Sequence, residues 1–517
     1  MLQMEHMEKR SHPVLALMVV NNTRNVGDGA LGVKSVNQIQ VVKQMKMSFK
    51  TTPWKHQRKA LKYLMKRDAA ALYTDMGTGK TKVMIDLMQN RGFKRVLVVA
   101  TYKACEVWEQ QISIHGIDGL FDVYRLNNLS TAKVIDKLKT IPKITTTASQ
   151  DKIYVFIINY EKVWRHGIDR MFLRKTLGID CVICDESHRI KSPRSNCSRY
   201  LSRLGQKVPH RYLVTGSPLA ENPVDVYAQY RFLDPKIFGT NFTEFRNEYE
   251  NVDVDLSAAM GFRMLDKKNP YKNLDKLREK MYSCAFYIES SVELPEQTDI
   301  EWSFTLPTKS EKLYHSIVKE KIAELNGKYM ESSNALTLVL RLQQLTSGYL
   351  VVEDFDTKEK SVVNVDHARR EEFLSLLEQF PEKEPIVVFA AYRKDLKNIR
   401  LICRKMGVKY SELSGKEDTM NDWKAGKTRV LAVQYSSGSE SIDLTRSRYC
   451  IYYSLPRRSA LYEQSRKRIH RPGQTRPVYY YIMLAKLRKG KSIDEKMLEA
   501  LQAKKKIVDY VVKEGWE

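Results

Sequence analysis

Residues 75–81 read DMGTGKT and follow an apolar segment, 69–73, that has the character of a β-strand. A glycine-rich loop leaves backbone N–H groups free to surround phosphate oxygens, and the N-terminus of a following helix adds partial positive charge. Lys80 would neutralise the β- and γ-phosphates, and the hydroxyl of Thr81 would bind Mg²⁺. The full G-x-x-x-x-G-K-[ST] pattern is not met, because Thr74 stands at the first glycine. The predicted nucleotide contacts in this loop are Asp75, Met76, Gly77, Thr78, Gly79, Lys80 and Thr81.

A second motif, Asp185-Glu186-Ser187-His188, follows the apolar segment 179–184 much later in the chain. That segment suits a buried parallel strand, so the carboxylates emerge at its carboxyl end, where α/β sheets bind ligands. Asp185 would hold Mg²⁺ through water, and Glu186 would orient the attacking water. Because two motifs for phosphate chemistry agree, we favour an ATP-hydrolysing site over the alternative of an ordinary strand–turn–helix at 75–81.

The composition favours a large protein that binds a polyanion. The 517 residues are too many for one hydrophobic core and suggest two or more domains. Lys and Arg number 87 and Asp and Glu number 61, which gives a net charge of +26 and favours nucleic acid as a partner through counterion release. The charge does not distinguish single from double strands. No segment is long enough to span a bilayer, so we expect no membrane association and a cytoplasmic location.

Short apolar segments in two series predict two parallel α/β lobes. Each segment of the first series ends in polar or small residues that could face a nucleotide crevice. The first series comprises 69–73, 96–100, 155–158 and 212–214, and the second comprises 386–389, 430–433, 449–453 and 478–482. We therefore predict a flexible tail or mis-called start at 1–48, a first lobe at 49–240, a long, charged and partly helical region at 241–378, and a second lobe at 379–517.

Residues 464–474 read QSRKRIHRPGQ and place Arg468 and Arg471 three residues apart, on one face if the segment is helical. Such a pair could act as arginine fingers that reach across a cleft and stabilise charge developing on the γ-phosphate. The alternatives are a solvated basic turn and a patch that contacts the DNA backbone. We predict that both arginines are catalytic.

In their order along the chain, these motifs resemble those of helicase superfamily 2 and, within it, the Swi/Snf-type family of DNA translocases. The resemblance extends over residues 49–512. The matching segments are 53–57 (the Q motif), 75–81 (motif I), 159–161 (motif Ib), 185–188 (motif II), 215–218 (motif III), 437–444 (motif V) and 464–474 (motif VI). The Q-x-x-x-R-x-x-R-x-G-Q pattern of the last segment is the most specific to the family. The chain departs from the family at Lys467, where aspartate is usual, and at Pro472, where an aliphatic residue is usual.

The resemblance implies a compact prokaryotic or viral member with two RecA-like parallel-sheet lobes, helical insertions between them, and ATP and Mg²⁺ in the cleft. In the family, the region between the lobes, here 241–378, supplies helical protrusions and the crossover. The residues that match the family's ATP-binding positions outside the glycine loop are Gln57, Gly438, Asp443 and Gln464. Those that match its positions for coupling between motifs are His188, Thr215, Gly216 and Ser217.

These features predict an ATP-dependent motor that translocates on double-stranded DNA and remodels DNA or protein–DNA complexes in the cytoplasm of a prokaryote or a virus-infected host. The preference for duplex DNA comes from the resemblance and not from composition. One alternative is a helicase that separates or branch-migrates DNA or RNA strands, and another is a non-catalytic DNA-binding protein. The non-catalytic alternative is disfavoured by the intact residues Lys80, Asp185, Glu186, Arg468 and Arg471.

Overall fold

A computed structural model of the chain describes residues 47–74, 77–141, 152–173, 177–216, 218–219, 221–260, 263–266, 268–288, 293–320, 322–325, 328–331, 335–354, 359–438 and 442–512. All of these residues belong to one compact unit, Met47–Glu517. Residues 1–46 of the predicted tail lie outside the described residues, as do Asp75, Met76 and Ser217 among the predicted site residues. No helix in the described ranges combines the length and the apolar character that crossing a bilayer requires.

The first lobe is built on a seven-stranded parallel sheet. Its strands are β1 (Ala69–Thr74), β2 (Arg95–Ala100), β3 (Phe121–Arg125), β4 (Ile153–Asn159), β5 (Cys181–Asp185), β6 (His210–Thr215) and β7 (Ala285–Ile288). They lie in the order β3-β4-β2-β5-β6-β1-β7, and every neighbouring pair is parallel. Strands β5 and β1 lie on either side of β6, so the loops that follow them open at the same edge of the sheet.

Helices cover both faces of this sheet. Those up to residue 260 are α1 (Lys55–Leu64), α2 (Lys80–Arg91), α3 (Ala104–His115), α4 (Thr131–Lys139), α5 (Tyr160–Val163), α6 (Ile168–Leu173), α7 (Asn196–Gly205), α8 (Val226–Leu233), α9 (Pro235–Phe238), α10 (Phe242–Tyr249) and α11 (Val254–Met260). Side chains alternate across a strand, so Val96 and Val98 of β2 pack in the core with α2 and α3, whereas Leu97 and Val99 pack in a second core with α7 and α8. Strand β2 is buried along its whole length for this reason.

The region 241–378 contains strands as well as the expected helices. Its later helices are α12 (Leu274–Tyr282), α13 (Thr308–Glu320), α14 (Ala335–Thr346) and α15 (Ala368–Glu378). Strand β7 extends the first sheet beside β1, and β8 (Gln297–Thr305) extends the sheet of the second lobe. The remaining strands form an antiparallel sheet in the order β12-β11-β10-β9, with ranges β9 (Ile322–Leu325), β10 (Lys328–Glu331), β11 (Tyr349–Asp354) and β12 (Lys360–Asn364). Strands β7 and β8 are not predicted from the sequence, because β7 has four residues and β8 alternates apolar with exposed polar residues, as edge strands do.

The second lobe is built on a six-stranded parallel sheet in the order β14-β15-β13-β16-β17-β8. Its later strands are β13 (Ile386–Ala390), β14 (Tyr410–Leu413), β15 (Val430–Gln434), β16 (Tyr449–Tyr452) and β17 (Val478–Lys486). The helices are α16 (Arg393–Lys405), α17 (Met420–Lys424), α18 (Tyr435–Gly438), α19 (Ser459–Ile469) and α20 (Ile493–Val512). The predicted α/β fold with two parallel-sheet lobes is confirmed.

A buried ion pair joins several elements of the second lobe. The guanidinium of Arg369, on α15, bonds to the carboxylate of Asp494, on α20, and the two side chains are 1% and 6% exposed. Arg369 also donates to the carbonyl oxygens of Thr346 at 2.9 Å and Met483 at 3.2 Å. The second carboxylate oxygen of Asp494 accepts from the hydroxyl of Thr346 at 3.0 Å. One charged pair therefore connects α14, α15, β17 and α20.

We predict that Asp494→Ala lowers the free energy of unfolding of the second lobe by about 3–5 kcal/mol, because it leaves a buried guanidinium without a compensating charge. Urea denaturation followed by circular dichroism measures this change. The matched control is Glu499→Ala on the same helix, which removes an ion pair to Lys491 whose side chains are 59% and 54% exposed. That control should cost no more than about 1 kcal/mol. Equal losses in the two variants would contradict the prediction.

Candidate active site

The glycine loop joins β1 to α2. Gly77 and Gly79 have φ angles of +82° and +77°, in the left-handed region that favours glycine. The side-chain nitrogen of Lys80, the first residue of α2, donates to the carbonyl oxygen of Thr74 at 3.2 Å. Thr74 replaces the first glycine of the pattern, and its hydroxyl lies 2.7 Å from the hydroxyl of Thr78. The replacement therefore adds a hydrogen bond across the base of the loop.

Gln57, one of the residues predicted to bind ATP, is buried against this loop. Its amide nitrogen donates to the carbonyl oxygen of Thr78 at 3.0 Å, and its amide oxygen accepts from the backbone N–H of Trp54 at 2.9 Å. A β-carbon built on Gly79 would lie 2.2 Å from the same amide nitrogen. Gln57 therefore supports the glycine loop, and its contact with ATP stays a prediction.

Asp185 and Glu186 lie at the carboxyl end of β5. One carboxylate oxygen of Asp185 accepts from the indole N–H of Trp108 at 2.8 Å, and the other accepts from the backbone N–H of Glu186 at 3.1 Å. The hydroxyl of Tyr160 donates to the backbone carbonyl oxygen of Asp185 at 2.6 Å. Glu186 has a φ of +50°, which few residues other than glycine adopt and which often marks functional sites. Tyr160 lies in the segment 159–161 that resembles motif Ib, although no contact with Asp185 is predicted for it, and Trp108 is not predicted from the sequence.

The two neighbouring carboxyl groups differ strongly in pKa. Burial and the adjacent charge of Glu186 raise the pKa of Asp185 to about 6. Burial also acts to raise the pKa of Glu186. The hydrogen bond from His188 and the positive charges of Lys80 and Arg468 outweigh burial and lower that pKa below its usual range. Charges from the two lobes therefore act on one ionised carboxylate, Glu186.

Glu186 is also linked to the end of the neighbouring strand β6. The hydroxyl of Thr215 donates to a carboxylate oxygen of Glu186 at 3.1 Å, and Nδ1 of His188 lies 3.3 Å from the same oxygen. Nδ1 of His188 lies 3.4 Å from the Thr215 hydroxyl. Two of the residues predicted to couple the motifs thus converge on Glu186. Gly216 follows Thr215 directly in the chain.

The two predicted arginine fingers occupy different surroundings. Helix α19 ends at Ile469, so Arg468 lies in its last turn, whereas Arg471 lies beyond it and the two do not share a helical face. The charge of Arg468 acts on Glu186. Arg471 instead donates to the carbonyl oxygen of Ile442, in the segment that resembles motif V, at 3.3 Å.

The other predicted nucleotide contacts are spread over both lobes. Thr81 lies in the first turn of α2, and Gln464 is buried within α19. Gly438 is the last residue of α18. One carboxylate oxygen of Asp443 accepts from the backbone N–H and the hydroxyl of Thr445, at 2.9 and 2.7 Å. The side chain of Asp443 is therefore engaged with its own turn, and its role at the nucleotide stays a prediction.

Two contacts join the lobes at opposite ends of α19. A β-carbon built on Gly77 would lie 2.9 Å from a ring carbon of Pro472, so the proline ring rests on the glycine loop. At the other end, the guanidinium of Arg458 donates to a carboxylate oxygen of Glu221 at 2.9 Å, and the hydroxyl of Ser459 lies 3.4 Å from the second oxygen. The helix that carries Arg468 is thus held against the first lobe.

A glycine loop and an acidic pair in one lobe, faced by an arginine from the other, define a helicase-like ATPase with two parallel-sheet lobes. Residues 56–348 match the family model described as the SNF2-related domain, and residues 368–473 match that described as the helicase conserved C-terminal domain. The chain belongs to the SNF2-related family of ATP-dependent, helicase-like enzymes.

Individual relatives are similar at low identity over most of the chain. Protein p41 of Acyrthosiphon pisum secondary endosymbiont phage 1 is 23% identical over 487 residues, which cover 89% of this chain and 98% of that protein. The DNA repair and recombination protein RAD54-like of Drosophila mojavensis is 22% identical over 520 residues, which cover 88% of this chain and 63% of that protein. This chain therefore spans less than two thirds of the RAD54-like relative. The solved Sulfolobus solfataricus SWI2/SNF2 ATPase core in complex with dsDNA aligns with 85% of this chain and 89% of its own, at 17% identity and a TM-score of 0.38.

We predict that Gly79→Ala weakens nucleotide binding by more than about tenfold, because the methyl group would strain the backbone and collide with the amide of Gln57. Titration with a fluorescent ADP analogue measures the affinity. Gly92→Ala is the matched control, since Gly92 ends the same helix with a φ of +66° and a β-carbon added there would meet no atom within 4 Å. The control should lose stability but keep its affinity. A similar loss of affinity in both variants would show that backbone strain alone explains the effect.

Proposed function

We propose that this chain is an ATP-driven motor that translocates on double-stranded DNA and thereby remodels DNA or protein–DNA complexes. The observation that carries the proposal is the contact between the lobes at the site: the ring of Pro472, just beyond the helix of Arg468, rests on the glycine loop at Gly77. Beside it, the positive charges of Lys80 and Arg468, from opposite lobes, both act on Glu186. A site whose parts come from two lobes is complete only when the cleft between them is closed. The state of the nucleotide and the position of the lobes are therefore coupled, as a motor requires.

The oxygen donors in the first lobe fit Mg²⁺, which prefers one or two carboxylates together with phosphate oxygens and water. Thr81 lies in the first turn of the helix after the glycine loop, and Asp185 ends a strand at the same edge of the sheet. The hydroxyl of Thr81 would bind the ion directly, and Asp185 would hold it through water. When bound, Mg²⁺ would neutralise charge on the β- and γ-phosphates.

The protein groups around the γ-phosphate divide the remaining work. Lys80 would leave the carbonyl oxygen of Thr74 and bind the phosphates. Glu186 would orient the attacking water, because its carboxylate is ionised and is held in place by Thr215. Arg468 would offset the negative charge that develops as the γ-phosphate leaves. Arg471 would have to release its present carbonyl contact before it could act as a second finger.

Two observations support DNA as the track, and the preference for a duplex comes from the family resemblance. The net charge of +26 favours a polyanion, and the RAD54-like relative is named as a DNA repair and recombination protein. Contacts to phosphates carry no sequence information, so they allow a motor to move without stopping at particular bases. The rival function is separation or branch migration of DNA or RNA strands, which requires an element that wedges the strands apart.

We predict that Glu186→Gln and Arg468→Ala each nearly abolish ATP hydrolysis while ATP binding remains. The glutamine keeps the shape of the side chain but orients water poorly, and loss of a transition-state arginine costs about 10³–10⁵ in rate. Steady-state ATPase assays with saturating duplex DNA, together with nucleotide titrations, measure both properties.

The matched control for Arg468→Ala is Lys467→Ala, which removes a positive charge from the neighbouring position of α19. This control should retain most of its turnover number and lose at most some affinity for DNA. Normal turnover with weakened DNA binding in Arg468→Ala would assign Arg468 to the DNA backbone instead of to the γ-phosphate.

We predict that the enzyme displaces the third strand of a DNA triplex, a reaction that requires only translocation, and releases little product from a forked duplex. Its ATPase activity should rise with duplex length and then level off, because a longer track permits more steps before dissociation. Raised salt should weaken binding by restoring competition from counterions. Efficient unwinding of the fork without displacement from the triplex would favour the rival helicase function.

A further inference from the structure

The indole of Trp108 makes a buried contact with the proposed magnesium ligand. Trp108 lies on α3, 77 positions before Asp185 in the chain, and is 1% exposed. Its N–H donates to a carboxylate oxygen of Asp185 at 2.8 Å. The rest of the ring packs in the core between α3 and the first sheet, together with Ile112. The ring is therefore fixed by packing on one side and bonded to the carboxylate on the other.

An indole constrains a carboxylate in a way that few other side chains can. Its nitrogen is a donor only, so the oxygen of Asp185 that it contacts must act as an acceptor. The second oxygen of Asp185 accepts from the backbone N–H of Glu186 at 3.1 Å. Two donors fixed by the core and by the main chain thus define the plane of the carboxylate. Because each carboxylate oxygen has its own fixed donor, rotation about the Cβ–Cγ bond of Asp185 is restricted. The carboxylate is therefore oriented before any ion binds.

We propose that Trp108 is a positioning residue for Mg²⁺: it holds the carboxylate of Asp185 in the orientation that binds the hydrated ion beside ATP. This inference rests on the proposed function of the site. Removal of a group that hydrogen-bonds to a metal ligand typically weakens metal binding by about 10–100-fold. Trp108 would therefore act on the ion through Asp185, and not on the nucleotide itself.

The test separates the hydrogen bond from the packing of the ring. Trp108→Phe keeps an aromatic ring in the core and removes the N–H. Trp423→Phe is a matched control, because Trp423 is fully buried in the second lobe and its indole N–H also bonds, to the carbonyl oxygen of Arg429 at 3.2 Å. Thermal unfolding of both variants shows whether each has folded. Fluorescent ADP is then titrated at a series of Mg²⁺ concentrations and in EDTA.

We expect Trp108→Phe to bind ADP in EDTA as the wild type does and to need about 10–100-fold more Mg²⁺ for the same gain in affinity. The Mg²⁺ concentration that gives half-maximal ATPase activity should rise in parallel. Trp423→Phe should behave as the wild type in both assays. An unchanged Mg²⁺ requirement in Trp108→Phe would overturn the proposal, as would an equal loss of ADP affinity with and without Mg²⁺.

A double-variant comparison tests whether Trp108 acts through Asp185. Asp185→Asn alone should reduce but not abolish the gain in ADP affinity that Mg²⁺ provides, and adding Trp108→Phe should reduce that gain no further, because both act through one carboxylate. An additional Mg²⁺-specific loss in the double variant would overturn the proposal. A wild-type chain whose ADP affinity does not respond to Mg²⁺ would instead contradict the proposed function, so the two failures are distinguishable.

Discussion

The ionised carboxylate of Glu186 is the constraint on which the site depends. A partly buried negative charge is costly unless opposite charges and hydrogen bonds compensate it. The compensation comes from His188 in the same motif, from Lys80 in the glycine loop, and from Arg468 in the other lobe. Separating the lobes would remove the last of these charges. Closure of the cleft therefore adds the charge of Arg468 to a carboxylate that His188 and Lys80 of its own lobe already stabilise.

The parallel sheet explains why the candidate site residues of the first lobe lie close together. Strands β1, β6 and β5 are neighbours, so Thr74, Thr215 and Asp185 end at one edge although they are far apart in sequence. Each of these strands is buried between two layers of helices, which fixes its position. The helix α19 lies across this edge from the second lobe and is held at both ends, through Pro472 and through Arg458. The candidate catalytic groups are thus placed on well-packed elements at the edge where the two lobes meet.

The sequence predicted those features whose determinants lie within a few neighbouring residues. The glycine loop, the acidic pair and the buried strands each have a signature within a few residues, and the two lobes followed from them. Trp108 could not be found in this way, because an apolar helix face does not reveal which of its members contacts a carboxylate on a distant strand. The segment that contains Tyr160 was recognised by its resemblance to motif Ib, but the bond of Tyr160 to Asp185 was not. The edge strands β7 and β8 were not predicted, because they lack a continuous apolar segment of sufficient length. The prediction that Arg468 and Arg471 share one helical face was wrong, because α19 ends between them.

The chain that connects the two sheets limits how far the lobes can part. Strand β7 of the first sheet ends at Ile288 and β8 of the second begins at Gln297, so the segment that connects the two sheets has eight residues, 289–296. A segment of eight residues spans at most about 30 Å when fully extended, since each residue adds at most ~3.6 Å. Tethering at such a distance keeps the effective concentration of one lobe at the other in roughly the millimolar range. In the proposed motor, the short connecting segment would keep Arg468 near the first lobe when the cleft opens, and it would set an upper limit on the distance that the lobes move apart.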